Sequence, residues 1–405
     1  MKEKLLLCVF MVISLFLMSQ DPWEQIAYLP DTSILVEGTG FSINDHGYIV
    51  GGMKLGAPPW AVKKSFWEYD PLTDTWEQLV DFPRFIACGV GFVIDSIAYI
   101  TTGHDSSEFD AIDSLYAWHT ESNKWLVVGP IPPGVQRSRG IGFSLNGKGY
   151  ITSGLSLSDT DYLTDLWEYD PVTNIWTEKT SFPGNPRYDA ICFTVGDCAY
   201  ITLGTQLSPV GNCTDLWEYN APTDTWAQKA SFIDLCVTAP TAFSLENKGY
   251  ITLGHTIDPP YQYFNAIWEY DPNLDQWQQL YMFPGMIRSN ATSFVITNTG
   301  YIVGGTFFYL PINMDNWSFT PPPVMIDNKT IEMISIYPNP ATSKITISTL
   351  ERGVLYLNSI NGQQVLKKEI LDSKTTIDVS GLNRGIYIVK VVGEQGIQVN
   401  KVIKK

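Results

Sequence analysis

A tyrosine followed by isoleucine recurs every 50 or 51 residues between residues 48 and 302, and this period constrains the fold more than any other feature of the chain. A phenylalanine stands seven residues before each of these tyrosines, and a glycine stands four residues after it. The six anchor tyrosines are Tyr48, Tyr99, Tyr150, Tyr200, Tyr250 and Tyr301. A period of this length indicates an array of similar supersecondary units rather than one irregular domain.

Each unit carries the signals of four short strands. Turn formers such as Asn146-Gly147 separate the phenylalanine from the tyrosine, so that the unit opens with a β-hairpin. The glycine ends the second strand at a sharp turn. A third strand follows in the pattern Trp-Glu-Tyr-Asp-Pro, as at 167–171, and a fourth strand opens with a tryptophan nine residues after the third-strand aromatic. Six such units predict an all-β chain that forms a six-bladed β-propeller.

This pattern resembles the kelch repeat, in which an inner hairpin, a glycine turn, a strand with Tyr-Asp-Pro and a Thr-Trp pair follow one another. The resemblance covers roughly residues 22–320 and implies a kelch-type propeller. One departure is visible, since kelch units usually carry two glycines after the second strand. In four units another residue takes the first of these places: Thr102, Ser153, Leu203 and Leu253.

The sixth unit ends after its third strand, at residues 316–319, and runs into three prolines. A counterpart of the missing fourth strand stands at the other end of the repeats, where Trp23-Glu24-Gln25 matches Trp76-Glu77-Gln78. We therefore expect the N-terminal strand to complete the last blade and to close the ring by main-chain hydrogen bonds, which removes exposed sheet edges.

The two ends of the chain differ from the repeats. Residues 1–19 combine two lysines with an apolar stretch too short to span a bilayer, a pattern that predicts a secretory signal peptide. The propeller is assigned to 20–320 and a proline-rich linker to 321–332. In 333–405 lysines replace aromatic residues, and several short alternating strands predict a small β-sandwich.

This C-terminal segment resembles the type A sorting domain of the type IX secretion system of Bacteroidota. The matching features are Tyr337-Pro338-Asn339-Pro340 near its start, Gly385-Ile386-Tyr387 late in the segment, and a basic end at Lys404 and Lys405. The resemblance implies passage to the periplasm, export by the type IX secretion machinery, and then release or attachment at the outer-membrane surface. An ordinary appended sandwich is the alternative.

Charge and cysteine content limit the partners. The formal net charge is −16 at pH 7, and the last 74 residues hold ten lysines and arginines against six acids, so the acidic excess lies in the repeats. An acidic body of this kind repels nucleic acid and anionic membranes.

Removal of the signal peptide leaves five cysteines, so that at least one thiol stays unpaired. No cysteine pair has metal-ligand spacing, and we predict neither a metal nor a cofactor.

Arginines recur where the innermost strand of a blade begins. Arg137, Arg187 and Arg288 stand thirteen residues before their tyrosines, and Arg84 and Arg139 lie close to equivalent places. Loops at the channel mouth are the usual ligand site of propellers, so these guanidinium groups would form a positive funnel for carboxylates. The kelch resemblance implies the same, because kelch proteins that bind acidic ligands use arginines here. The alternative is that each arginine pairs with a nearby acid or caps carbonyl groups of the adjacent blade.

His104 and His255 directly follow the blade glycine and should lie on loops at the same face. Two histidines there could supply acid–base or metal chemistry, although no third ligand has matching spacing, and solvated loop histidines are the alternative. The seven candidate ligand-binding residues are therefore Arg84, Arg137, Arg139, Arg187, Arg288, His104 and His255.

The sequence contains no Ser/His/Asp motif, phosphate loop or zinc signature. We therefore expect a noncatalytic, secreted or cell-surface binding module whose ligand is a glycan or an acidic peptide or sugar. The second hypothesis is a carbohydrate-active enzyme that resembles a sialic-acid (N-acetylneuraminate) mutarotase, which is also a six-bladed kelch protein.

Overall fold

The structure is a computed structural model, and it describes residues 21–30, 34–55, 61–105, 112–156, 161–206, 211–234, 236–257, 260–307, 315–322, 335–348, 352–359, 364–393 and 396–405. The chain divides into two compact units, Met1–Pro322 and Pro323–Lys405. The predicted signal peptide and most of the predicted linker lie outside the described residues. Within these ranges, all regular structure is β-strand except one 3-10 turn at Thr120–Ser122, which confirms the all-β prediction. None of the described segments forms a helix long and apolar enough to cross a membrane.

Six antiparallel four-stranded sheets dominate the first unit, and we number them 1 to 6, naming their strands in the order in which they pair. Sheet 1 has Thr39–Ile43, His46–Val50, Phe66–Asp70 and Thr75–Gln78. Sheet 2 has Val90–Ile94, Ile97–Thr101, Ser114–His119 and Lys124–Pro130. Sheet 3 has Ile141–Leu145, Lys148–Thr152, Leu166–Asp170 and Ile175–Lys179. Sheet 4 has Ile191–Val195, Cys198–Thr202, Leu216–Asn220 and Thr225–Lys229. Sheet 5 has Thr241–Leu245, Lys248–Thr252, Ala266–Asp271 and Gln276–Met282. Sheet 6 has Thr292–Ile296, Thr299–Val303, Asn316–Phe319 and Trp23–Ile26.

Three smaller sheets lie in the loops of this unit. They comprise Ile34–Val36 with Met53–Leu55 and Ala61–Val62, Arg137–Ser138 with Leu155–Ser156, and Arg187–Tyr188 with Thr205–Gln206 and Gly211–Asn212. In the small sheets beside sheets 3 and 4, the segment that leads into a first strand pairs with the loop that follows the blade glycine.

The register of the inner hairpin explains the spacing of seven residues between phenylalanine and tyrosine. In sheet 1 Phe41 lies opposite Tyr48, and the two rings stack with their centroids 5.4 Å apart. The equivalent pair stacks at 5.1–5.8 Å in the other five sheets. Such a pair stabilises two strands by about 1 kcal/mol beyond the area that it buries. Because side chains alternate along a strand, Gly40 and Ser42 face away from the rings.

A repeated contact, which we call the junction clasp, joins the end of one fourth strand to the next sheet. Between sheets 4 and 5 the Ala230 backbone N–H donates to the Asp275 carboxylate at 2.8 Å, and the Trp277 indole N–H donates to the Ala230 carbonyl oxygen at 2.9 Å. Two further clasps have the same hydrogen bonds: Asp224 and Trp226 bind the backbone of Thr180, and Asp74 and Trp76 bind the backbone of Ala27. Ala27 directly follows the N-terminal strand, so this strand contacts sheet 1 as other fourth strands contact their neighbours.

The N-terminal strand is the fourth strand of sheet 6. It runs antiparallel to Asn316–Phe319, with Trp23 opposite Phe319. Trp23 is buried, and its ring centroid lies 4.8 Å from that of Phe319 and 5.1 Å from that of Phe283. The contact with Phe283, which directly follows sheet 5, ties the strand to a second sheet as well.

The residue before the blade glycine adopts a left-handed backbone in all six sheets. Glycine occupies this place in sheets 1 and 6, where Gly51 and Gly304 both have a φ of 67°. The four residues that replace glycine have φ values of 56–64°: Thr102, Ser153, Leu203 and Leu253. A left-handed conformation costs a non-glycine residue about 1–2 kcal/mol. Replacement of the first glycine of the pair therefore leaves the backbone turn unchanged but adds conformational strain to the residue that takes its place.

The second unit contains two sheets around its own apolar core. One sheet pairs Ser335–Tyr337, Lys344–Ser348 and Lys374–Asp378, and the other pairs Gln364–Ile370, Gly353–Ser359, Gly385–Gly393 and Gly396–Lys404. Asn339 binds the last strand through its side chain, donating to the Lys401 carbonyl oxygen at 2.8 Å and accepting from the Ile403 N–H at 2.9 Å. The asparagine of the Pro-Asn-Pro motif thus holds the C-terminal strand in place.

Replacing Ser153 with glycine should stabilise the first unit. The change removes the strain of a left-handed non-glycine residue, and it removes a buried hydroxyl that has no hydrogen-bond partner among the described residues. Glycine also increases the entropy of the unfolded chain, but the two gains should exceed this cost by about 1 kcal/mol. Gly51→Ser is the matched control and should destabilise, since its Cβ would lie 2.2 Å from the Ile86 carbonyl oxygen. All 13 tryptophans precede residue 322, so tryptophan fluorescence during urea unfolding reports this unit alone. An unfolding midpoint of Ser153→Gly below that of the unmodified protein would contradict the prediction.

Candidate functional site

Two cavities lie at the first strands of the sheets, one at their beginnings and one between the strands of sheets 1 to 5. The cavity that we call the mouth cavity measures about 200 Å³ and is lined by the two residues that precede each of the six first strands. A second cavity of about 290 Å³ is lined by residues within the first strands, among them Gly142 and Ser144. A Cβ atom at Gly142 would lie 2.5 Å from the Gly91 carbonyl oxygen, so the first strands of sheets 2 and 3 approach too closely at this point for a residue with a side chain.

One residue from each sheet forms a ring at the mouth cavity. This mouth ring consists of Glu37, Cys88, Arg139, Asp189, Ala239 and Asn290. All six have left-handed φ values, between 48° and 58°. The backbone N–H of each member donates to the carbonyl oxygen of the preceding one at 3.0–3.4 Å, and Glu37 donates back to Asn290. Strained non-glycine residues of this kind persist where the surroundings hold them, and they cluster at binding and catalytic sites.

Arg139 bridges two carboxylates of the mouth ring. Its Nη2 lies 2.5 Å from Glu37 Oε1, and its Nη1 lies 2.8 Å from Asp189 Oδ2. The arginine side chain is 22% exposed, whereas Glu37 is 4% and Asp189 is 14% exposed. Cys88 joins the cluster by donating its thiol hydrogen to Glu37 Oε2 at 3.0 Å. One guanidinium against two carboxylates gives the cluster a formal charge of −1.

Burial governs the ionisation of this cluster. It raises the pKa of Asp189, and the attraction of Arg139 offsets the effect only in part. It also raises the pKa of the Cys88 thiol, to which the negative charge of Glu37 adds, so Cys88 is a protonated hydrogen-bond donor rather than a nucleophile. The mouth cavity therefore presents donors and acceptors of both kinds, including a carboxyl group that holds its proton to a higher pH than usual.

Three of the predicted arginines lie behind the mouth ring with side chains that are 0% exposed. Arg137 donates from both terminal nitrogens to the Asp165 carboxylate, at 3.0 and 2.7 Å, and from Nε and Nη1 to the carbonyl oxygens of Val135 and Ser153. Arg187 and Arg288 are buried against Asp215 and Asp315 in the same way. All three therefore match the alternative in which the arginine pairs with a nearby acid. A ligand-binding role for them stays a prediction.

The arginine and its acid vary together along the chain. The carbonyl groups of Arg137, Arg187 and Val237 accept equivalent hydrogen bonds from a blade glycine, so these positions correspond. Sheet 5, which has Val237 in place of the arginine, has Ala266 in place of the aspartate. Sheet 2 likewise has Ile86 and Ser114 at these two places. This correlated replacement was visible in the sequence and indicates a structural pair rather than two independent ligand groups.

The acid of the pair also binds a tryptophan. In sheet 4 the Trp217 indole N–H donates to Asp215 Oδ2 at 2.6 Å. Burial alone would raise the pKa of Asp215, but hydrogen bonds from Arg187 and Trp217 outweigh it and lower the pKa. In sheet 5 the equivalent Trp268 lies beside Ala266, and its indole nitrogen is buried without a hydrogen-bond partner among the described residues.

The other predicted residues lie around the mouth cavity without meeting. Arg84 is half-buried on the loop before sheet 2, and it does not line the mouth cavity. His104 and Ala87, the neighbour of Cys88, exchange two backbone hydrogen bonds of 3.1 Å. His255 pairs with Thr238, the neighbour of Ala239, and burial lowers its pKa so that the imidazole is neutral at pH 7. The two histidines belong to sheets 2 and 5, so the structure does not bring them together. Of the seven predicted residues, Arg139 alone lines the mouth cavity.

The remaining members of the mouth ring were missed by sequence reasoning. They stand eleven residues before the anchor tyrosines, as Arg139 does, so the period itself could have found them. Recurring arginines do not reveal them, because five other residue types occupy the position of Arg139 in the other sheets: Glu37, Cys88, Asp189, Ala239 and Asn290.

Comparison with known proteins places the chain in a family. A profile described as KLHDC2/KLHL20/DRC7 Kelch-repeats domain matches residues 86–305, and one described as Secretion system C-terminal sorting domain matches residues 335–405. Because the first covers more than half of the chain, the protein belongs to the kelch-repeat family. It ends in a type IX sorting domain, which indicates export to the cell surface or the extracellular space. Both resemblances seen in the sequence are confirmed.

Individual relatives are distant. Human Kelch-like protein 23 is 24% identical over 184 residues, which are 35% of this chain and 32% of the relative. N-acetylneuraminate epimerase of Yersinia enterocolitica is 30% identical over 105 residues, 25% of this chain and 26% of that protein. Beta-agarase D of Zobellia galactanivorans is 35% identical over 72 residues, 18% of this chain and 15% of the agarase. The matched segments thus span about a third or less of each curated relative.

A solved structure shares the fold. The protein YjhT superposes on this chain with a TM-score of 0.59 at 17% identity, and the match covers 72% of this chain and 95% of YjhT. At this identity the likeness concerns the fold alone.

The buried arginine pairs generate a stability prediction. Asp215→Ala leaves Arg187 charged and unpaired in the interior and should destabilise the first unit by about 3–5 kcal/mol. The double change Arg187→Val with Asp215→Ala reproduces the pair that sheet 5 already carries, Val237 and Ala266, and should cost clearly less. Urea unfolding of the three proteins measures the difference. A double variant as unstable as the single one would show that Arg187 and Asp215 do not act on stability as a pair.

Proposed function

We propose that this exported kelch protein is a noncatalytic binding module whose ligand enters the mouth cavity and contacts Arg139, Glu37 and Asp189. The observation that carries the proposal is the charged cluster on the mouth ring, where six strained residues surround one cavity. Burying three charged groups together costs desolvation free energy, and a hydrophobic core would stabilise the fold as well without them. A role in recognition accounts for retaining them.

The chemistry of the cluster favours a hydroxyl-rich ligand such as a glycan over an acidic one. Guanidinium nitrogens donate hydrogen bonds and carboxylate oxygens accept them, so a sugar hydroxyl, which does both, finds partners on either group. An acidic ligand would meet a cluster of formal charge −1 in a chain of net charge −16. In this proposal Arg137, Arg187 and Arg288 hold the segments that carry the mouth ring and do not touch the ligand.

We further propose that the six sheets are the blades of one propeller, closed by the N-terminal strand. Three contacts support this arrangement: the pairing of Trp23–Ile26 with Asn316–Phe319, the junction clasp of Asp74 and Trp76 on Ala27, and the hydrogen bond from Glu37 to Asn290. The first strands also pack in the same cyclic order, with that of sheet 6 against that of sheet 1. In the same scheme the chain consists of a signal peptide at 1–19, the propeller at 20–320, a linker at 321–332 and the sorting domain at 333–405.

A second candidate function is an acid–base reaction on a sugar. The raised pKa of Asp189 favours it, because burial lets this carboxyl group keep its proton to a higher pH than an ordinary aspartate, as a general acid must. The relative described as N-acetylneuraminate epimerase gives a substrate to test. Proton NMR of N-acetylneuraminate anomers would reveal such an activity as faster interconversion that Asp189→Asn abolishes.

Ring closure predicts a cooperative loss of stability. Deletion of residues 21–30 removes a fourth strand and one junction clasp, so we expect the whole first unit to unfold at a lower temperature in one transition. The matched substitutions Asp74→Ala and Asp275→Ala remove equivalent clasp acceptors and should shift the melting temperature by similar amounts. Equal melts of the trimmed and full-length proteins would contradict closure.

The binding proposal predicts a specific loss in one arginine variant. Arg139→Met should weaken binding of the tightest ligand from a glycan and acidic-peptide panel by about ten-fold or more, because charge-assisted hydrogen bonds are worth about 1.5–3 kcal/mol. Arg84→Met is the matched control, since it removes a half-buried arginine outside the mouth cavity, and it should bind as the unmodified protein does. Titration calorimetry measures both, with melting curves to check folding. Unchanged affinity in Arg139→Met would show that the mouth cavity is not the binding site.

A further inference from the structure

A second set of six residues lines the mouth cavity, one directly before each first strand, and we call it the amide ring. Its members are Gly38, Gly89, Gly140, Ala190, Pro240 and Ala291, and each follows a member of the mouth ring in the chain. Every first strand lies at one edge of its sheet and pairs only with the second strand. Such an edge carries backbone N–H and C=O groups that the sheet does not use. The amide ring brings the beginnings of six open edges to one cavity.

Five backbone N–H groups of the amide ring have no hydrogen-bond acceptor among the described residues, and Pro240 has no N–H. The carbonyl groups are better satisfied, since those of Gly38, Gly89 and Ala291 accept threonine hydroxyls from neighbouring sheets at 2.9–3.3 Å. A main-chain N–H is an obligatory donor. The five groups therefore take their acceptors from whatever fills the mouth cavity.

The carboxylates of the mouth ring are already engaged. Both oxygens of Asp189 accept hydrogen bonds from Arg139 Nη1, at 3.1 and 2.8 Å. The two oxygens of Glu37 accept from Arg139 and from the Cys88 thiol. All four carboxylate oxygens thus have a donor, whereas five N–H groups lack an acceptor. A ligand that complements the cavity must bring acceptor oxygens.

Sheets 5 and 6 add one free acceptor and an apolar surface. Asn290 lines the cavity and is 9% exposed, and its side-chain oxygen accepts no hydrogen bond from a described residue. The Asn290 backbone N–H donates to the Ala239 carbonyl oxygen at 3.1 Å, which places the two residues side by side. Ala239 and the following Pro240 also line the cavity and have apolar side chains. This side of the cavity therefore combines donors, one acceptor and apolar groups.

We propose that the amide ring binds the acetamido group of an N-acetylated hexosamine in a neutral glycan. This proposal rests on the proposed function and names the ligand class of its site. The acetamido oxygen has two lone pairs and no proton, so it accepts from amide-ring N–H groups and needs no acceptor in return. The acetamido N–H has the Asn290 oxygen as its acceptor, and the methyl group meets Ala239 and Pro240. The cavity volume of about 200 Å³ equals that of roughly seven liquid water molecules, which admits such a substituent but not several sugar rings.

Two other kinds of acceptor fit the amide ring less well. A sugar hydroxyl also brings a proton, so it suits the carboxylates of the mouth ring better than a set of adjacent donors. An inorganic anion brings acceptors alone, but it would meet the formal charge of −1 on the mouth ring in a chain of net charge −16. The acetamido group is neutral and meets no such repulsion.

The test removes one N–H group at a time from the full-length protein. Ala190→Pro does so with the residue that sheet 5 already carries, and the residues before Ala190 and Pro240 have similar φ values of 51° and 48°. Ala190→Gly keeps the N–H and inserts the residue found at Gly38, so the comparison of the two variants isolates the N–H group. Ala291→Pro repeats the test in sheet 6.

The probes are chitohexaose, cellohexaose and inorganic phosphate. Chitohexaose and cellohexaose differ only in the acetamido group that replaces a hydroxyl on each sugar. We expect chitohexaose to bind about ten-fold or more tightly than cellohexaose. We expect Ala190→Pro to bind it about three- to ten-fold more weakly than Ala190→Gly. Titration calorimetry measures the affinities, melting curves check folding, and Arg84→Met outside the cavity should bind as the unmodified protein does.

The outcomes separate this proposal from the proposed function. Equal affinities of Ala190→Pro and Ala190→Gly, with binding still weakened in Arg139→Met, would overturn the amide ring and leave the mouth cavity as the binding site. Equal affinities for the two oligosaccharides, or binding of phosphate alone or of no probe, would overturn the acetamido assignment. Where the proline variants do not fold, Pro240→Ala decides: it adds a sixth N–H and should tighten chitohexaose binding, and unchanged or weaker binding would contradict the proposal.

Discussion

The stacking of each phenylalanine on its anchor tyrosine is the contact on which the repeat region depends, because it sets the register of the inner hairpin. With Phe41 opposite Tyr48, every second residue of the first strand faces away from the rings. A slip of one residue would exchange the two sides of the strand, so that Gly40 and Ser42 would take the place of the rings and the rings would be directed at the neighbouring first strand. Repeated six times, this register lets the first strands approach closely and leaves small side chains between them.

The same geometry places Arg137 and Arg139 in different environments, although they are only two residues apart. Arg137 meets Asp165 of its own sheet and is buried in an ion pair, whereas Arg139 meets Glu37 from sheet 1 and Asp189 from sheet 4. The first pair joins two residues next to the strands of sheet 3, so it depends on that sheet alone. The second cluster exists only when three sheets are assembled, and it is therefore the place where the fold creates a chemical environment that no single repeat contains.

Much of the architecture was predictable from the sequence. The period of the anchor tyrosines led to the strands and to the family, and the lysine-rich end led to the sorting domain. The candidate site was predictable only in part, since Arg139 lines the mouth cavity and Arg137, Arg187 and Arg288 are buried in ion pairs. Arg139 stands eleven residues before its tyrosine and the other three stand thirteen before theirs, but spacing measures only position along the chain and does not show where each side chain lies in the fold.

The sequence by itself determined the number of repeats, the strands within each and the export signal at the C-terminus. These features depend on contacts within about 50 residues, such as Phe41 with Tyr48, and on side-chain alternation along single strands. Only the tertiary structure decided that the members of the mouth ring share one cavity and that three arginines are buried. Members of the mouth ring are 50 or 51 residues apart and share no residue type, so their charges, strain and common cavity arise only when the six sheets pack together.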